Sequence, residues 1–142
     1  MLYARIDLKK INYIKLQSNW QFIKNPDINL LNQIYQKYCQ YKKFQSVMPI
    51  FDSVYTDSKN DIVGYFDSQE LVAFSIIKKH DNINAEAMQF AWTYHNPKLR
   101  LGIKSLKHEC ALYKELGFQF LYLGEATDYK KSIDGFEILK GT

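Results

Sequence analysis

Apolar and polar residues alternate with period two in "LYARIDL", which predicts a strand over residues 2–8. Residues 11–24, "INYIKLQSNWQFIK", fit either a second strand with a loop or irregular structure. The period then becomes helical in "NPDINLLNQIYQKYCQYKKF", where Ile28, Leu31, Tyr35 and Tyr38 share one face. Asn25 is placed to cap this helix, Pro26 to occupy its first position and Asp27 to complement its dipole. "QSVMPIFDSVYTDSKN" is polar and broken by Pro49, and reads as loop. Three short apolar-aromatic runs follow, "DIVGYF", "LVAFSII" and "AEAMQFAWTY", separated by the polar "DSQE" and "KKHDNIN". Hairpin-length connections of this kind predict an antiparallel meander.

From about Pro97 to Leu116 the pattern is again helical, with Leu99, Ile103, Leu106, Cys110 and Tyr113 on one face and Gly117 as the stop. "FQFLYL" is nearly continuous in apolar character and predicts a central strand buried on both faces. "GEATDYKKSIDG" reads as a connection and "FEIL" as a last strand. If the meander's third strand and "FQFLYL" are neighbours, the helix between them makes them parallel. No repeat, low-complexity tract or linker interrupts the 142 residues, so one domain over 1–142 with a mixed α/β sheet is expected.

Composition adds an aromatic bias: 11 Tyr, 9 Phe and 2 Trp supply much of the core. The net charge of +4 suits an anionic ligand but falls short of a dedicated nucleic-acid surface. Cys39 and Cys110 lack metal or redox spacing and read as buried thiols, which implies a reducing cytoplasm. The three histidines do not group as a metal site; His80 reads as a hairpin-turn residue and His108 as part of a polar helix face. No apolar run approaches the roughly 18 residues of a membrane span, and no membrane partner is expected.

The turn "TYHNPKLRLGIK" before the long helix concentrates candidate chemistry. A helix start presents unpaired N–H groups and roughly half a positive charge, and Asn96, Lys98, Arg100, Gly102 and Lys104 surround this one. That is an anion site in the making.

The order of elements, with these residues, resembles the GNAT superfamily of acyltransferases. In that fold two parallel central strands splay apart, the acyl donor sits in the opening, and the following helix points at the donor's pyrophosphate. The resemblance implies donor binding by Asn96, Lys98, Arg100, Gly102 and Lys104, with Lys130 as a further phosphate contact. Aligned on Gly102, Leu99 stands where the family's loop has Gln or Arg, and Lys104 where it has Gly or Ala. "YHNP", "RLG", "ELGFQFLYLG", "YK" and "GFEIL" also occur in the order shown by the C-terminal domain of arginyl- and leucyl-tRNA–protein transferases. That likeness covers about residues 61–139 and adds aminoacyl-tRNA to acetyl-CoA or another acyl-CoA as a donor.

Acyl transfer to an amine needs a base, oxyanion donors and an acid for the leaving group. Glu125, just after "LYLG", and His95, at the meander's end, are candidates for the base; Tyr129 is the candidate acid. Trp92 and Tyr94 are candidates for the pocket wall, and Phe90 alternates with Trp92 on the same strand. The acceptor would be an amine-bearing small molecule, peptide or protein, with tRNA a possible partner and no metal required. The alternative is a non-catalytic GNAT-like module that binds a protein or nucleic acid.

Overall fold

The computed structural model describes residues 3–11, 19–42, 50, 52–93, 101–125 and 133–139, with only the backbone given at 42, 101–103 and 125. Strand β1 (Tyr3–Asp7) is followed by a 3-10 turn (Leu8–Lys10), β2 (Trp20–Phe22), helix α1 (Ile28–Lys42) and a short α2 (Asp52–Thr56). Then come β3 (Asn60–Asp67), β4 (Glu70–Lys79), β5 (Asn84–Trp92), α3 (Leu101–Glu115), β6 (Phe120–Glu125) and β7 (Phe136–Leu139). The strands form one sheet in the order β2-β3-β4-β5-β6-β1-β7.

The meander β3-β4-β5 is antiparallel, as its hairpin-length connections imply, and β3 turns into β4 through Ser68 and Gln69, both at positive φ (52° and 71°). Such a two-residue turn matches the twist of the strands it joins. The pair β5–β6 is parallel, with α3 as the crossover. The N-terminal strand lies far from β2, inserted between β6 and β7 and antiparallel to both.

The sheet separates two apolar layers. Leu31 and Ile34 of α1 and Tyr55 of α2 pack on Ile62, Phe74, Ile76 and Ala91. On the other side Leu106, Cys110, Leu112 and Tyr113 of α3 meet Val63, Tyr65, Ala73, Ile77 and Leu121. Both cysteines are buried free thiols, and burial pushes the Cys110 thiol well up.

Several expectations change. Asp27, rather than Asn25, caps α1: its Oδ1 accepts from the Leu30 amide at 3.2 Å, which leaves Pro26 outside the helix. The segment read as loop contains α2, and the ambiguous segment contributes β2, paired with β3. β6 is central but fully buried on one face only: Leu121 and Leu123 are buried, whereas Phe120 and Tyr122 are partly open. Arg5 covers that second face, its guanidinium 4.0 Å from the Phe120 centroid and its Nε 2.8 Å from Glu137. His108 does not lie on a polar face; it is fully buried, its ring 4.9 Å from Trp20 and 5.9 Å from Tyr65. Among the described residues no helix is long and apolar enough to cross a membrane.

Candidate functional site

β5 and β6 pair only through Asn84–Phe120, Ala85–Leu121 and Glu86–Tyr122, and then part. Beyond that point β5 stays with β4, and β6 stays with β1. The cause is a pair of bulges. Gln89 opposes Ile76 and Ala87 opposes Ile77, so Met88 is an extra residue in β5. Gly124 opposes Ala4 and Tyr122 opposes Arg5, so Leu123 is an extra residue in β6. A bulge bends its strand and increases its local twist, and here one falls on each strand within two residues of the last shared pair. Gly124, at φ +71°, supplies the left-handed backbone that the second bulge requires.

The parting opens a cavity of about 190 Å³. Met88, Phe90 and Leu123 line it from the two strands, Tyr38 from α1, and Ser105 and Glu109 from α3. Because α1 and α3 pack on opposite faces, the opening spans the thickness of the sheet.

Glu109 is 2% exposed and carries the site's unusual chemistry. Ser75 Oγ donates to its Oε2 at 2.6 Å, and Tyr65 donates to the same oxygen. Burial pushes the Glu109 carboxyl up to about 7, against the opposing pull of the Ser75 and Tyr65 hydrogen bonds. Burial and the neighbouring Glu109 push the Tyr65 phenol well above its ordinary value. Among the described residues no Lys or Arg is paired with Glu109.

The predicted site residues fall in three groups. Trp92, at the end of β5, is half-buried and packs against the α3-side core, while Phe90 two residues earlier lines the cavity. Gly102 lies on the backbone of α3's first turn, Lys104 is exposed beside cavity-lining Ser105, and Glu125 ends β6 with its backbone opposite Tyr3. Tyr94, His95, Asn96, Lys98, Arg100, Tyr129 and Lys130 lie outside the described residues. Among the described residues no cluster of three or more metal-ligating side chains occurs.

Glu109 was not among the residues singled out from sequence, yet a signal was present. It stands three residues after Leu106 and four before Tyr113, on α3's apolar face. A carboxylate there has no reason in packing alone.

No protein-family model matches the sequence, and no curated protein matches it significantly. Solved structures do match in fold. A GNAT-family protein from Novosphingobium aromaticivorans superposes with a TM-score of 0.67 at 13% identity, over 98% of this chain and 60% of its own. L-PGS from Bacillus licheniformis gives 0.62 at 18% identity, over 88% of this chain and 46% of its own. The Saccharomyces cerevisiae N-myristoyltransferase with bound myristoyl-CoA gives 0.59 at 13%, over 89% and 40%. This chain thus has the GNAT fold, with the mixed sheet and splayed parallel pair expected of it, and spans less than half the length of the latter two proteins.

Proposed function

We propose that the protein transfers an acyl or aminoacyl group from an activated donor to an amine, with the reacting end of the donor in the cavity between β5 and β6. The observation that carries this reading is the double-bulged parting of those strands, which opens a polar-floored cavity beside the first turns of α3. Acyl transfer needs such a place, where a carbonyl is held away from bulk water and an amine can approach it. The N-terminus of α3, with Asn96, Lys98, Arg100, Gly102 and Lys104 before and within its first turn, would hold the donor's phosphates, and Lys130 would add a contact.

The amine nitrogen attacks the carbonyl carbon, and the tetrahedral intermediate collapses with loss of the donor's thiol or hydroxyl. Glu125 or His95 would take the amine's proton, and Tyr129 would return one to the leaving group. Tyr94 and Trp92 would bound the site. Acyl-CoA as donor is supported by the myristoyl-CoA bound in one structure of the same fold; aminoacyl-tRNA rests on the motif order of the sequence alone.

The test is incubation with acetyl-CoA and, separately, charged tRNA, together with amine and peptide acceptors, followed by mass spectrometry of the products. Mass gain on an acceptor is expected with one of the two donors. No transfer from either, with retention of a protein or nucleic acid, would favour the non-catalytic module instead.

A further inference from the structure

The Glu109 carboxyl is an expensive feature. It is a buried acid lining a cavity, with two hydroxyls on one oxygen and, among the described residues, no paired cation. Burying a carboxylate without a counter-charge costs stability that core packing does not require. The cavity floor is also wrong for a plain acyl chain. An acetyl or fatty acyl group would lie against the Glu109 carboxyl and offer it neither charge nor hydrogen bond.

We infer that this cavity is a receptor for a primary ammonium group carried by the transferred moiety, with Glu109 as its counter-charge and Ser75 and Tyr65 as the hydroxyls that orient the carboxylate. The inference rests on the acyl-transfer reading above and narrows it: the group transferred is aminoacyl rather than simple acyl. The size agrees, since about 190 Å³ exceeds the roughly 150 Å³ that accommodates a benzene molecule. The protonation logic selects the donor over the acceptor. A buried ion pair with Glu109 holds an amine in its protonated, unreactive form, which suits a spectator ammonium on the donor and not an attacking nucleophile.

Among the described residues, the titratable groups around Glu109 do not supply the missing charge. Tyr65 faces it from β3, Tyr38 shares the cavity from α1, and on α3 itself Glu109 helps to push up Cys110 and Tyr113, which bring no positive charge. β4 contributes Ser75, and β5 and β6 contribute the uncharged Gln89 and Leu123. Binding therefore depends on one carboxyl that titrates near neutrality and on the ligand's own amine.

The experiment is calorimetric titration of the full chain with alaninamide, with N-acetylalaninamide and with propylamine, at several pH values. The amide with a free amine should bind and the acetylated one should not; propylamine, which has no carbonyl, should bind more weakly than alaninamide. Affinity should fall about tenfold per pH unit below 7 and fall again above the amine's own value of about 8. Glu109→Gln should raise Kd by about 30-fold or more, the loss expected when one partner of a desolvated charge pair is removed. Ser75→Ala, a gentler change, should weaken binding while the fold persists.

Equal binding of the acetylated amide, unchanged affinity in Glu109→Gln, or no binding by any probe overturns the inference. Tighter binding of propylamine than of alaninamide also overturns it, because the amine held would then be an acceptor's. These titrations contain no activated donor, so the two claims fail separately. Transfer activity without ammonium binding would leave the acyl-transfer reading standing alone. Ammonium binding without transfer from any donor would leave the receptor standing and remove that reading.

Discussion

Met88 and Leu123 are each an extra residue on facing parallel strands, and both line the same cavity just beyond the Glu86–Tyr122 pair. The opening is therefore built into the backbone of both strands, with Gly124 at φ +71° completing one of the bulges.

Gly124→Ala and Gly117→Ala form a matched pair. Both glycines have positive φ and no atom within 4 Å of an added Cβ, so each change costs only left-handed strain, about 1–2 kcal/mol. Urea midpoints should fall by similar amounts. Donor binding should weaken for Gly124→Ala alone, because Gly117 ends α3 far along the helix from the cavity-lining turns.

Glu109 makes stability depend on pH in an unusual direction. Its folded value, about 7, lies above the unfolded carboxyl value, so the native state binds more protons between the two. The contribution of this group is fully present below the unfolded value and is lost as pH rises through 7, by roughly 3 kcal/mol. Denaturant unfolding of Glu109→Gln should show that difference: the variant gains on the wild type by this amount between pH 4 and pH 8. A constant offset across that range would contradict the burial of an unpaired carboxyl.

Tyr113 ties α3 to the sheet by donating to Asp61 Oδ2 at 2.6 Å, and Lys79 Nζ lies 3.1 Å from Asp61 Oδ1. Tyr113→Phe should cost about 1.5–3 kcal/mol, the range for a hydrogen bond to a charged group. It should leave turnover at saturating donor unchanged, which thermal melts and rate measurements can check together.

Salt separates the two classes of donor. If the donor is a charged tRNA, alanine at Lys98, Arg100 or Lys104 should each reduce the slope of log affinity against log salt by about one. An acyl-CoA, with far fewer phosphates, should show a shallow slope that these substitutions change little.

The fold was legible because its signals are local. Period two in β1, the short apolar-aromatic runs of β3, β4 and β5, the apolar face of α1 and the Gly117 stop each reside in a few neighbouring residues. What sequence could not show was non-local. The insertion of β1 beside β6 depends on partners more than 100 residues away, such as Asp7 opposite Phe120. Asp27 was read as a dipole partner rather than as the cap because "NPD" offers two capping side chains, and only geometry selects one. The half-open face of β6 was hidden by its apolar composition; an Arg from β1 covers what looked like core. Glu109 was missed for a related reason: its hydroxyl partners Tyr65 and Ser75 come from two other strands.

The most direct test of the account is transfer activity in a protein whose cavity has been filled. Ala87 lines the cavity from β5 beside the Met88 bulge, and Ala87→Leu adds apolar volume there without altering charge. Wild type and variant are assayed side by side with acetyl-CoA and with charged tRNA. The account predicts transfer by the wild type from one donor and a loss on the order of 100-fold in the variant, the scale of a misplaced reacting group. Equal transfer by both proteins would place the chemistry elsewhere, and no transfer by the wild type from either donor would contradict the enzymatic reading itself.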